Sequence, residues 1–182
     1  MAILPTTKHG NPVLTGRVKP IKKVTDEIIT LVDDMIDTMR NGETPGVGLA
    51  APQVGEALSI IVAEPPPGHE GTGAIHDGAV VLLNPEIVYA KGNTVIEEGC
   101  LSCPGVTAEV ERPSHVVIKG MDLEGNAVKL EVEGALARIF QHEVDHCQGV
   151  LFIDRIEDPD RIWSVEEGQE EAAEAAQERP SD

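Results

Sequence analysis

Basic residues, aromatic residues and long apolar runs are all scarce in this chain, and each shortage closes off a class of function. Fourteen Lys and Arg stand against 32 Asp and Glu, a net charge of −18. A nucleic-acid surface needs clustered cations, so this balance argues against one, direct DNA binding included. No stretch reaches the roughly 18–20 consecutive apolar residues that span a bilayer, and the opening MAILPTTKHGNP has neither the charged start nor the apolar centre of an export signal. The sequence therefore reads as a soluble, cytoplasmic protein with no membrane partner. One Trp, one Tyr and two Phe leave aliphatic side chains to fill the core. Three cysteines, an odd number, fit a reducing compartment better than a disulfide framework.

At 182 residues the chain is long enough for one domain with a single core. TDEIITLVDDMIDTMR, from Thr25 to Arg40, places Ile28, Val32, Met35, Ile36 and Met39 at helical spacing. Thr25 is the expected N-cap, and Gly42 the expected left-handed stop of this amphipathic helix. ALSIIVAE, AVVLLNPEI and NTVIEEGCLS read as strands. SHVVIKGMDLEGNAVKLEVE reads as a hairpin turning at Glu124, Gly125 and Asn126. ALARIFQHEVDHCQG reads as a second helix, opened after Gly134 and closed by Gly149. The expected fold is α+β: mostly antiparallel sheets around this second helix, with the amphipathic helix near the N-terminus. Residues 1–163 are expected to form the folded domain, and 164–182 an acidic, loosely helical or disordered tail with almost nothing large and apolar to bury.

The second helix carries the sharpest chemical signal. His142 and His146 are four residues apart and so lie one above the other on a helix, with Glu143 beside them. That arrangement holds a metal and keeps a proton carrier next to it. Two imidazoles leave a tetrahedral ion short of ligands, and a catalytic site adds a third protein ligand while keeping one position for water. Cys147 follows His146 directly and points about 100° away around the axis. The longer HExxHxxGxxH pattern fails, because position 152 is Phe152. Cys100 and Cys103, in EEGCLSCPG, lack the second pair that a zinc ribbon needs. In one extended strand, side chains three apart face opposite sides, so only one of these thiols is expected to serve a shared site.

Three motifs then fall into one pattern: GVGLAAPQ from Gly46 to Gln53, EGCLS from Glu98 to Ser102, and QHEVDH from Gln141 to His146. In this order and spacing they resemble the signature motifs of the peptide deformylases, and NPEI and LFIDRI also look like family text. The resemblance implies that Cys100, His142 and His146 hold one divalent metal, with water in the fourth place. It is ferrous iron in typical members, with zinc, nickel or cobalt able to substitute. The implied reaction removes the N-formyl group from the initiator methionine of a nascent polypeptide, releasing formate. Metal-bound water attacks the formyl carbon, and Glu143 takes its proton and returns it to the departing amine. The side chain of Gln53 and the backbone N–H of Leu101 would steady the developing oxyanion.

Gly48 is expected to lie against the peptide, running as an added strand, with Val47 and Ile139 in the recess for the methionine side chain. Glu98 and Asp145 are candidates to orient the imidazoles, with Arg112 as a counter-charge. Where some members carry an arginine that grips the peptide, this chain has VTAEV, with Thr107 near that place. Transient ribosome contact is compatible with the resemblance, but not through the acidic tail. Two other readings are a peptidase sharing the helix motif, which needs a further His or Glu ligand downstream, and a non-catalytic module. A mere structural clip would need neither Glu143 nor Gln53.

Overall fold

The computed structural model describes residues 2–67 and 74–164. Helix α1 spans Asp26–Asn41 and α2 spans Gly134–Cys147. The strands are β1 Gly48–Ala50, β2 Ile60–Ala63, β3 Ile75–His76, β4 Ala79–Lys91, β5 Thr94–Cys100, β6 Cys103–Arg112, β7 His115–Met121, β8 Ala127–Glu133 and β9 Ile162–Ser164. Every pairing between these strands is antiparallel. One sheet runs β1-β2-β4-β7-β8 with β3 beside β4, and a smaller sheet runs β5-β6-β9. The chain is therefore α+β with antiparallel sheets and few helices.

Strand β2 shows why the larger sheet sits where it does. All four of its residues are apolar and buried, the pattern of a strand covered on both faces. Ile61 and Ala63 pack with Leu136, Phe140 and Val144 of α2, whereas Ile60 and Val62 pack with Val32, Met35, Ile36 and Met39 of α1. Alternation along one strand thus divides two helices between two faces. Burying a side chain such as Phe140, which has no exposed surface, contributes roughly 1.5–3 kcal/mol. A third cluster, with Leu14, Cys103, Val110, Leu151 and Phe152, lies under the smaller sheet.

Several local readings change on contact with the structure. Gly42 does follow α1, but at φ −66° and ψ 178° it is extended, not left-handed. Its value is space, since a Cβ there would lie 2.5 Å from the Thr38 carbonyl oxygen. Thr25 occupies the N-cap position without a side-chain cap bond, its hydroxyl being engaged by Glu27. Cys100 and Cys103 do not share a strand. A tight turn at Leu101 and Ser102 folds the chain back, so the two cysteines face each other as cross-strand partners on β5 and β6. Strand β6 has no counterpart in the sequence reading, and β9 adds a third strand to its far edge. Beyond Ser164, the acidic tail lies outside the described residues.

Candidate metal centre and catalytic cleft

One helix and one hairpin end build the centre. Helix α2 brings His142 and His146 to the end of β5, where Cys100 stands at the start of the turn. The ligand-capable atoms of Cys100, His142 and His146 all lie within 4.8 Å of one another. The Cys100 Sγ is 3.3 Å from His146 Nε2. Sulfur and nitrogen bonded to one tetrahedral ion at about 2.3 and 2.1 Å would stand about 3.6 Å apart, so the cluster fits an ion with little movement.

The donor chemistry agrees with that fit. Cys103, donating towards Cys100, lowers the Cys100 thiol against the opposing effect of burial, and His142 and His146 lower it further. The same contact raises Cys103. Gln53 Nε2 at 3.5 Å and the Ser102 backbone N–H at 3.4 Å also point at the Cys100 sulfur. Burial pulls His142 down, but its hydrogen bonds with Cys100 and Glu98 outweigh this and push it up to about 10. Once His142 yields its proton, the three groups offer an anionic sulfur and two neutral nitrogens to a cation.

Behind the histidines lies a buried network of charges. Glu98 is 2.9 Å from His142 Nδ1, which directs Nε2 of that ring towards the centre. Its two oxygens also accept from Arg112 Nε at 2.6 Å and Nη2 at 2.9 Å, and Arg138 reaches Oε1 at 2.5 Å. Burial would raise Glu98, yet the bonds from His142 and Arg112 hold it down at about 2. Arg112 is 1% exposed and extends its remaining arm to Asp145 Oδ2 at 2.7 Å. Asp145 turns to Arg112 and Arg155, whereas Glu98 bonds His142, so of the two acids it is Glu98 that orients a histidine. Phe152 stacks on the His142 ring, with centroids 6.0 Å apart.

Glu143 is buried at the edge of the centre. Burial pushes its carboxyl up to about 7 against the pull of the neighbouring His142 and His146 charges. Its Oε2 has no hydrogen-bond partner among the described residues, and neither has His146 Nδ1. Gly48 is what makes room for this carboxylate: a Cβ there would lie 2.5 Å from Glu143 Oε1 and 2.9 Å from Ile139 Cγ2. Sequence reasoning assigned this space to a peptide, whereas the closest neighbour is the acid itself. Gln53 is held by its Oε1, which accepts from the Ala50 N–H at 2.8 Å.

The centre opens into a cleft of about 500 Å³. Val47, Gly48, Gln53, Cys100, Leu101, Ile139, His142 and Glu143 all line it, and His146 lies beneath, reached through Cys100. Thr107 lines it too, with Lys8 and Arg138 as its cations. Sequence reasoning missed both. Lys8 donates to the Leu101 carbonyl at 3.2 Å, and the backbone N–H groups of Thr7 and His9 bond the carbonyls of Gln53 and Ser102. The N-terminal segment thereby ties the helical turn that carries Gln53 to the turn that carries Leu101.

Comparison with known proteins converges on one family. A family model described as polypeptide deformylase matches residues 3–162. The chain is 45% identical over 156 residues to a peptide deformylase of Halothermothrix orenii, covering 86% of this chain and 95% of that protein. The crystal structure of peptide deformylase from Thermotoga maritima superposes with a TM-score of 0.76 at 39% identity, over 87% of this chain and all of the other. A Met-Ala-Ser-bound class I type b peptide deformylase from Acinetobacter baumannii gives a TM-score of 0.74 at 37% identity, over 85% of this chain and 99% of the other.

Proposed function

From the membership of this chain in the peptide deformylase family, a family of metal-dependent hydrolases that remove the N-formyl group from nascent polypeptides, we propose a residue-by-residue assignment of the reaction. Cys100, His142 and His146 hold one divalent ion, and the observation that carries this is their convergence on a cleft beside a buried Glu143. When bound, the ion supplies Lewis acidity, which polarises the formyl oxygen and makes water a nucleophile near neutral pH. We take ferrous iron as the resident ion, in keeping with the family resemblance. A thiolate with two imidazoles is compatible with zinc, nickel and cobalt as well.

Glu143 is the proton carrier. It accepts a proton from the attacking water, whose oxygen bonds to the formyl carbon. It then delivers that proton to the amine nitrogen as the carbon–nitrogen bond breaks and formate leaves. A carboxyl held beside the centre can exchange that proton in both directions. Negative charge growing on the formyl oxygen meets the Gln53 carboxamide N–H and the Leu101 backbone N–H. Gln53 keeps its donor end towards the centre because its oxygen is committed to Ala50.

The peptide enters the cleft beside Gly46, Val47 and Gly48. These residues lead into β1, an edge strand of the larger sheet, which suits strand addition by an extended chain. Ile139 and Val47 flank the methionine side chain, and Lys8 is the cation beside the residues that follow, Arg138 being committed to Glu98, Val110 and Thr94. The substrate is the formyl-methionyl end of a nascent chain in the cytoplasm, and any ribosome contact is made by a surface other than the acidic tail. No helix of the described residues is long and apolar enough to cross a membrane. Residues 1–163 form the catalytic unit.

The test is to purify the protein without oxygen, identify its metal, and assay formate release from formyl-Met-Ala beside cleavage of an unformylated peptide. Glu143→Ala should lose formate release by roughly 10²–10⁴-fold while retaining metal. Full activity in that variant would remove Glu143 from the mechanism, and cleavage between residues of the unformylated peptide would favour a peptidase.

A further inference from the structure

The reaction leaves Cys103 without a task. This residue opens β6 directly opposite Cys100, the last residue of β5. Residues opposite each other in an antiparallel pair have Cα atoms about 4.5–5.5 Å apart and side chains on one face. A disulfide needs about 4.4–6.8 Å between Cα atoms, a span within the roughly 7 Å that the two ends of a two-residue turn share, although the ladder shifts register between Gly99 and Cys100 just before this pair. Both cysteines line the cleft, Cys100 half-buried and Cys103 buried behind it, so a solute entering the cleft meets Cys100 first. The third thiol, Cys147, is 8% exposed and bonds the Ile60 carbonyl under the larger sheet, away from the cleft.

We propose that Cys103 is a resolving thiol for Cys100: a peroxide entering the cleft oxidises Cys100, and Cys103 then closes a reversible disulfide with it. In the first step the Cys100 thiolate attacks one peroxide oxygen. The O–O bond breaks, Cys100 becomes a sulfenic acid, and the other oxygen leaves as hydroxide, which becomes water by taking from solvent the proton that Cys100 gave up on ionising. In the second step the Cys103 sulfur gives up its proton and attacks the sulfenic sulfur. The S–O bond breaks, and the departing hydroxide takes that proton and leaves as water. Two thiols thus lose two hydrogens, and one hydrogen peroxide becomes two waters. Without a thiol in reach, a sulfenic acid passes on to sulfinic and sulfonic acids, which reductants do not reverse. The disulfide stands on the hairpin geometry alone. Its consequence, withdrawal of the sulfur from the ion, rests on the ligand set proposed above.

Peptide mapping of the metal-loaded protein after hydrogen peroxide treatment, acid quench and alkylation tests both parts. Trypsin cuts after Lys91 and Lys119 but not before Pro113, so the peptide 92–119 holds Cys100 and Cys103 and excludes Cys147. The expected result is a peptide that has lost two hydrogens and resists alkylation, both reversed by dithiothreitol, with metal released in step. In Cys103→Ala and Cys103→Ser the same dose should leave Cys100 carrying added oxygens that dithiothreitol does not remove. Wild-type peptide with oxidised Cys100 and free Cys103, or a bond to Cys147 instead, would overturn the proposal. A disulfide formed with the metal retained would uphold the thiol pair and overturn the ligand assignment.

Discussion

Glu98→Gln probes the charge network behind the centre with one atom changed. The carboxylate accepts from Arg112 twice, from Arg138 and from His142, and it is 7% exposed. A carboxamide keeps the shape but replaces one acceptor with a donor facing other donors, and leaves buried Arg112 with Asp145 as its remaining acid partner. The fall of the Glu98 pKa from 4.5 to about 2 corresponds to about 3 kcal/mol, which agrees with the roughly 3–5 kcal/mol lost on breaking a buried pair. At roughly 2–4 °C per kcal/mol for a chain of this size, the Tm should fall by about 6–12 °C. Because the folded-state value is depressed, this stabilisation is whole above about pH 4.5 and is lost as pH falls towards 2. Urea titrations of chelator-treated protein should therefore show a steeper acid loss in the wild type than in the variant. With His142 no longer steered by a carboxylate, metal affinity should also drop, by roughly 10–100-fold. A variant that melts within about 2 °C of wild type and binds metal equally well would refute the reasoning.

Gly48→Ala should cut formate release by roughly 100-fold or more with metal content unchanged, because the new methyl group displaces the Glu143 carboxylate; unchanged kcat would mean that the carboxylate moves aside freely. Phe140→Ala, at a position with no exposed surface between α2 and the larger sheet, should cost about 3–5 kcal/mol in urea denaturation. Gly42→Ala should also destabilise, by roughly 1–3 kcal/mol in the same assay, through contact with the Thr38 carbonyl.

What the sequence made legible follows from periodicity and spacing. A four-residue interval on a helix fixes where two imidazoles point, so His142 and His146 meet without any long-range information. Strand β2 was readable because four buried apolar residues stand between polar neighbours. The hairpin end at Cys100 was not, because Leu101 and Ser102 carry none of the Gly, Asn or Asp signals of a tight turn. That omission also hid β6, whose Cys-Pro-Gly opening reads as a loop although Ala108, Val110 and Arg112 alternate inward. Arg112 was legible as a counter-charge to Glu98 or Asp145, but that it meets both acids, 14 and 33 residues away, is a product of tertiary packing. Gly48 was recognised as a close approach, but which atom approached was a matter of how α2 lies on β1.

The central claim is that Cys100, His142 and His146 share one ion and leave one position open. Anomalous diffraction from crystals of protein grown and harvested without oxygen, collected at the absorption edge of the ion it carries, measures this directly. The account predicts a single strong peak within bonding reach of Cys100 Sγ and one ring nitrogen each of His142 and His146, with no further side chain attached. A peak elsewhere, or one also bonded by Glu143 or Cys103, would contradict it.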